Sequence, residues 1–317
     1  MLEVSYRGVG RGSHYWENFI RSRLAGIGFR EAITTSFAAT EKVIRLYGEG
    51  CFEPVKLSGP MSSDMDILRP SLLVTLLDCV RHNLFQRHRD LMLYEIGSAF
   101  AREPGGEDSG EKRRLAMAVS GRTRPVFWRG EADQWDFFAL KGVLETLLAH
   151  LRVGPAEFTP GGDKLLSASR NARISIGGEP VGQIGLLDPT LARELDLEEQ
   201  EIYLLEIDLQ PLVGATEMPT YKPSSPYPGI RRDLSMFVDK ATPAAELVAV
   251  AGAVSKLVCD VTVFDLYEGE HVPAGKRSIA LSFLFQSSER TLKDEEADGL
   301  FRSIVDRLKE KFGIQPR

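Results

Sequence analysis

Tyr227-Pro228-Gly229-Ile230-Arg231-Arg232-Asp233-Leu234-Ser235-Met236-Phe237-Val238 is the stretch on which the fold turns. From Leu234 the apolar residues alternate with a period near two, the pattern of a half-buried strand. Thr242 then stands as an N-cap and Pro243 as a first helical residue. Ala245, Val248, Ala249, Gly252 and Ala253 recur at helical spacing. Residues 258–267, with Val261 and Val263, are rich in β-branched and aromatic side chains and read as a second strand. The run 271–276 has turn chemistry, and 278–285 alternates again as a third strand. Thr291 precedes a helix with Asp294, Glu295 and Glu296 in its first turn and Arg307, Lys309 and Lys311 near its end, the order that a helix dipole favours. Its core face is Ala297, Leu300, Phe301, Ile304, Val305 and Leu308. Gly313 ends it, and the tail is short enough to add an edge strand. The order β-α-β-β-α-β is that of a ferredoxin-like unit.

Four phrases within this region carry a resemblance: Tyr227 to Leu234 as quoted, Val263-Phe264-Asp265-Leu266-Tyr267-Glu268-Gly269, Pro273-Ala274-Gly275-Lys276-Arg277-Ser278-Ile279-Ala280, and Arg290-Thr291-Leu292-Lys293-Asp294-Glu295-Glu296. In this order they resemble the ferredoxin-fold anticodon-binding domain of the bacterial phenylalanyl-tRNA synthetase β-subunit family. The resemblance implies that the first anticodon base stacks on Tyr267 while Asp265 and Ser278 hydrogen-bond its edge. The physics agrees. Asp265 and Tyr267, two apart on a strand, share one face, and a neighbouring antiparallel strand can bring Ser278 beside them. An aromatic platform is worth ~1–3 kcal/mol per unstacked base, and single-stranded loops are where proteins read RNA sequence. A carboxylate accepts from amino and imino hydrogens, which favours the Watson–Crick edge of guanine. Arg231, Arg232, Lys276, Arg277 and Arg290 would supply phosphate contacts. Charge alone does not announce RNA, since residues 219–317 hold 14 Lys and Arg against 14 Asp and Glu.

The whole chain has 317 residues, enough for two domains that each bury a core. With 43% hydrophobic and 26% charged residues it has the composition of a soluble globular protein. A net charge of −6 argues against indiscriminate binding to nucleic acid or membrane. Cys51, Cys79 and Cys259 are odd in number and far apart, which suits a reducing compartment and no zinc site. There is no signal-peptide pattern and no apolar run of membrane-spanning length, so a cytoplasmic location and no membrane partner are expected. Residues 1–12 read as irregular and 103–110 as a hairpin-like loop.

Upstream, Ser13 opens a helix carrying Trp16, Phe19, Ile20, Leu24 and Ile27 on one face. Gly28 ends it, and residues 29–37 read as a strand. The phrase Leu24-Ala25-Gly26-Ile27-Gly28-Phe29-Arg30-Glu31-Ala32 resembles the first element of the synthetase-like domain in the same family. That resemblance implies a subunit interface built by Trp16, Phe19, Ile20 and Leu24. Ser58-Gly59-Pro60-Met61-Ser62 through Leu68-Arg69-Pro70-Ser71-Leu72-Leu73, and the strand Leu91-Met92-Leu93-Tyr94-Glu95-Ile96-Gly97, continue the likeness. So does Trp128 with Trp135-Asp136-Phe137-Phe138-Ala139-Leu140-Lys141-Gly142, which opens a helix to Leu151. The family's histidine-proline turns are replaced by Ser167-Ala168-Ser169-Arg170 and Leu187-Asp188-Pro189.

Catalysis is not expected of this chain. An active class II synthetase needs fixed cations where negative charge develops. Here the strand 204–212 places Glu206 and Asp208 at the glycine positions of the family's third motif and Pro211 at its arginine, while Leu93 occupies the arginine position of the second. The five histidines are scattered, and no P-loop or nucleophile elbow occurs. Asp64, Asp66 and Asp78 read as capping or loop residues. No catalytic residue and no metal ligand is assigned.

The fold expected is α+β: a catalytically inactive class II synthetase-like antiparallel sheet domain with helices over residues 1–212, a linker over 213–229 and a ferredoxin-like βαββαβ domain over 230–317. The resemblance implies a non-catalytic part of a phenylalanine–tRNA ligase, packing against the α subunit of an α2β2 heterotetramer and binding the anticodon of tRNA(Phe). It places ATP and Mg²⁺ on the α subunit and no cofactor on this chain. It also implies a longer β subunit, with further tRNA-binding, editing and helix-rich domains. The present sequence by itself is therefore expected to lack aminoacylation, editing and ATP turnover. The alternative is a stand-alone, non-enzymatic paralogue that uses the same fold to bind a protein or another RNA.

Overall fold

The computed structural model describes residues 13–60, 62–102, 110–128, 130–214 and 224–317. The irregular start at 1–12, most of the loop at 103–110 and the greater part of the linker lie outside the described residues, as does the side chain of Ser13. The chain divides into two compact units, Met1–Pro219 and Thr220–Arg317.

In the first unit the elements run α1 (Ser13–Ile27), β1 (Arg30–Glu31), β2 (Phe37–Ala38), α2 (Thr40–Tyr47), β3 (Ile67–Leu68), α3 (Leu73–Phe85), β4 (Leu91–Phe100), β5 (Glu111–Ser120), α4 (Phe137–Leu151), β6 (Ala156–Thr159), β7 (Leu166–Ile176), β8 (Glu179–Leu187), α5 (Pro189–Glu194), β9 (Ile202–Asp208) and α6 (Gln210–Gly214). Seven strands form one sheet in the order β1-β4-β5-β9-β8-β7-β6. β1 runs parallel to β4, and the other neighbours are antiparallel. The period of two explains the layering. Tyr94, Ile96, Leu115, Met117, Leu205 and Ile207 join Ile20, Leu24, Leu140 and Leu144 on one side. Leu91, Leu93, Ala116, Ala118, Ile202 and Leu204 join Leu73, Leu76, Leu77 and Val80 on the other. Each leucine, isoleucine, valine or methionine among them that is removed from water contributes roughly 1.5–3 kcal/mol, so both faces of the sheet are committed to core.

Two sequence expectations shift here. Only Arg30–Glu31 of the expected strand 29–37 pairs with the sheet. Beyond it the backbone turns aside, because Thr34 donates through N and Oγ1 to Glu95 instead of continuing a ladder. The strand expected over 204–212 ends at Asp208, and Pro211 falls inside α6. Asp136 caps α4, accepting from Ala139 N at 2.7 Å.

The second unit comprises β10 (Ile230–Asp239), α7 (Ala244–Gly252), β11 (Val258–Tyr267), β12 (Lys276–Phe285), α8 (Asp294–Phe312) and β13 (Gln315–Pro316). The sheet order is β11-β12-β10-β13, with antiparallel pairing throughout. This is the expected βαββαβ arrangement, tail strand included. Leu234, Met236 and Val238 meet Ile279, Leu281, Phe283 and Phe285 on one face, under Leu247, Ala251, Ala297, Ile304 and Leu308 of the helices. The cap of α7 moves by one residue. Pro243 is the N-cap of α7, not its first residue, and Lys293 caps α8, with Glu296 reaching back to the Lys293 N–H at 3.0 Å. Gly313 closes α8 at φ 60°, a left-handed conformation that glycine adopts without a Cβ penalty. Among the described residues no helix is long and apolar enough to cross a membrane.

Candidate nucleic-acid interface

Both helices of the second unit cover one face of its sheet, and the opposite face is open. Alternation assigns residues to it. Tyr267 stands directly opposite Ser278, and Ser278 opposite Phe237, which in turn faces Gln315. The next rung is Asp265, Ala280 and Ser235. Asp265, Tyr267 and Ser278 are thus neighbours on the open face. Tyr267 is 45% exposed, whereas Ser278 is only 5% exposed because it lies mid-sheet between two aromatic neighbours.

A strict period of two would not have put them there. Val261 and Val263 pair with Phe283 and Leu281 on the helix side, so unbroken alternation would carry Asp265 and Tyr267 to that same side. A register shift between Val263 and Asp265 leaves Phe264 as the extra residue and reverses the facing. Such a β-bulge re-aims the side chains that follow it. Phe264 itself is 55% exposed on the sheet edge.

The five candidate cations are not brought together. Arg231 is exposed on the open face, opposite Leu284, and Lys276 is on that face at the far end of the same ladder, opposite Asp239. Arg232, one residue on, faces the helices and pairs with Asp294 and Asp298 of α8, both at 2.9 Å. Arg277 sits opposite Val238 on the helix side and donates to the Thr242 carbonyl at 2.6 Å. Arg290 is clamped on Glu296 through two hydrogen bonds of 2.7 and 2.6 Å. Those bonds, with the Lys293 N–H, lower the Glu296 carboxyl to about 2.

In the first unit, the sheet face toward α3 carries a buried polar network that the sequence reading missed. Arg69, 2% exposed, pairs with Glu95 at 2.9 Å and donates to Thr34 and Thr75. It lies across Gly97, where a Cβ would stand 2.5 Å from its Nη2. Farther along, Glu206 accepts from Leu72 N at 2.7 Å and from Ser71 at 3.0 Å, and Ser71 in turn accepts from Tyr47. Arg114 bridges Glu206 at 3.1 Å and Asp208 at 2.7 Å. Burial pushes the Glu206 carboxyl up despite Arg114 and the Leu72 N–H, and it pushes the Tyr47 phenol well up. A cavity of about 400 Å³ opens here, lined by Tyr47, Arg114, Asp163, Arg173, Glu206 and Asp208 among others. Three carboxylates line its wall, and Arg114 is already paired with two of them. Among the described residues no group of three or more His, Cys, Asp and Glu side chains is placed to hold a metal ion. Asp66 accepts from Thr40 N and Oγ1, and Asp78 pairs with Lys42.

The expected interface helix α1 spends its apolar face within its own unit. Trp16, Ile20 and Leu24 are buried in the core, and Phe19 packs against it. A partner of α1 would meet its outer strip, where Tyr15 and Ile27 are each 46% exposed. The interface expectation came from the resemblance of residues 24–32 to the family, and the apolar stripe has the same spacing whether its own sheet or a partner covers it.

Residues 10–209 match the phenylalanyl-tRNA synthetase beta chain CLM domain, and residues 225–317 match the ferredoxin-fold anticodon-binding domain. The phenylalanine–tRNA ligase beta subunit of Bacillus subtilis is 37% identical over 296 residues, 92% of this chain and 36% of that protein. Its namesake from Methylococcus capsulatus is 35% identical over 299 residues, 94% of this chain and 37% of that protein. The chain thus spans little more than a third of the length of the curated relatives that it matches.

Proposed function

The chain belongs to the phenylalanyl-tRNA synthetase β-chain family, and we propose that it is the non-catalytic, anticodon-reading part of a phenylalanine–tRNA ligase. The observation that carries this is the meeting of Asp265, Tyr267 and Ser278 on the open, helix-free face of the second unit. Tyr267 offers a ring to a base. Asp265 accepts from that base's amino or imino hydrogens, and Ser278 donates or accepts beside it. Arg231 and Lys276, on the same face, are the cations placed to meet phosphates. Arg232, Arg277 and Arg290 act inside the protein.

In this reading the first unit is scaffold. It keeps a synthetase-like sheet but fills the region where a nucleotide would lie with the Arg69–Glu95 and Glu206–Arg114–Asp208 pairs. ATP and Mg²⁺ are then handled by an α subunit, with which this chain assembles as α2β2 in the cytoplasm. Val126, Phe127, Trp128 and Phe138, between 59% and 83% exposed, are exposed apolar side chains suited to such a partner. The domain limits that follow are 1–212, 213–229 and 230–317.

The test is binding of the purified chain to a phenylalanine-tRNA anticodon stem-loop at two salt concentrations. Wild type should bind it over a scrambled loop, and Tyr267→Ala should cost the ~1–3 kcal/mol of one base stack. Equal binding of both loops by both proteins would instead favour a paralogue that binds another partner.

A further inference from the structure

We propose that the open face carries a second nucleobase subsite, built by Phe237 with Gln315 at its rim, which takes the base adjoining the one on Tyr267. The proposal rests on the reading of Tyr267 as a base platform.

Phe237 is out of place as a core residue. On β10 the core positions are Leu234, Met236 and Val238, and Phe237 falls between two of them on the opposite side. It belongs to none of the packed clusters and makes no ring contact among the described residues. The ring is half-buried, and its cross-strand neighbours are Ser278 and Gln315, not the helix-side core. Its neighbours are those of a base site. Ser278 lies between Phe237 and Tyr267 in one cross-strand rung, and Gln315 flanks it on β13. A side-chain amide offers both a donor and an acceptor to a base edge. Charge does not oppose an RNA strand at this end, because Asp239 is directly opposite Lys276.

The spacing sets the geometry of the ligand. Tyr267 and Phe237 are two strands apart, roughly 10 Å at the ordinary inter-strand distance. Bases stacked on one another are separated by only about 3.4 Å. Two platforms that far apart hold consecutive bases splayed across the sheet, each on its own ring. That is how sheet-based RNA readers use paired aromatics. The Ser278 hydroxyl, between the rings, can then contact either base.

The experiment uses the full chain and three RNAs: the anticodon stem-loop, and the same RNA made abasic on the 5′ or on the 3′ side of the base assigned to Tyr267. Phe237→Ala should weaken binding of the intact loop roughly 5- to 150-fold, the range of one base stack. It should have no further effect on one of the two abasic RNAs, and Phe237→Tyr should restore binding. Wild-type affinity in Phe237→Ala, with loss in Tyr267→Ala, would overturn the subsite and leave the Tyr267 platform standing. Equal losses on all three RNAs, accompanied by a lower unfolding midpoint, would overturn it in favour of Phe237 as cover for another part of the chain. No loss in either variant would remove the reading on which the subsite depends.

Discussion

Gly269 lies against the ring of Tyr267: a Cβ on Gly269 would stand 2.5 Å from the Tyr267 Oη and 2.7 Å from its Cζ, so any larger residue there must push the ring aside. The backbone there is not left-handed, so alanine is conformationally acceptable and its only conflict is with the ring. Gly269→Ala should displace the phenol end and weaken RNA binding several-fold, within the ~1–3 kcal/mol of the stack. In a Tyr267→Ala background the same change should be silent. A double-mutant cycle on stem-loop affinity checks this, and additive losses would show that Gly269 acts elsewhere.

Adjacent arginines should behave differently. Arg231→Ala removes an exposed cation from the open face and should lower the salt dependence of RNA binding by about 0.7 in the log–log slope, the value for one single-strand phosphate contact. Arg232→Ala breaks pairs with Asp294 and Asp298 on the helix side and should leave that slope alone. Its cost in stability should be small, as for exposed ion pairs. Affinity titrations at several salt concentrations, with denaturant midpoints, separate the two.

The first unit should depend on the Arg69–Glu95 pair for stability. Glu95→Ala leaves Arg69 buried without its anion, a defect worth ~3–5 kcal/mol. Gly97→Ala crowds Arg69 and Leu72, whose Cδ2 lies 3.0 Å from the added Cβ, and should cost ~1–3 kcal/mol by overpacking. Urea unfolding with unchanged slope reports both. A loss under about 1 kcal/mol for Glu95→Ala would show that water reaches the pair.

Acid should loosen the start of α8. Glu296 titrates at about 2 in the folded chain, held down by Arg290 and the Lys293 N–H, against 4.5 ordinarily. Its folded value is depressed, so the contribution is complete above pH 4.5 and is lost as pH falls through about 2. Glu206 has the opposite sign. Its carboxyl is raised by burial, so its effect is to lower stability as pH climbs above its ordinary value of 4.5. Amide exchange at the first turn of α8 in wild type and Glu296→Gln should converge at the acid end and diverge above pH 4.5.

Much of this was legible in the residues. The strands of the ferredoxin-like unit, the helix faces and the strand 91–100 follow from periods of 2 and 3.6, which are local. The cap of α7 was off by one residue because Thr242 is a good capper by type, while Pro243 has the backbone geometry. The inward commitment of Trp16, Ile20 and Leu24 was hidden because an apolar stripe has the same spacing whether its partner is its own sheet or another subunit. The buried Arg69 network left no local trace, since its partners Thr34, Thr75 and Glu95 are scattered along the chain.

By itself the sequence determined that Asp265 and Tyr267 share a face, because two residues on a strand always do. Only the tertiary structure decided which face. The bulge at Phe264 is set by how β11 pairs with β12, a non-local register, and it turns both side chains from the helices to the open side. The pairing of β10 with β12 decided that Arg231 looks outward while Arg232 is held by α8, and that Phe237 and Ser278 stand in line with Tyr267. Local periodicity fixes relative facing within a strand. Absolute facing belongs to the sheet, because it depends on which neighbours' hydrogen bonds the strand completes.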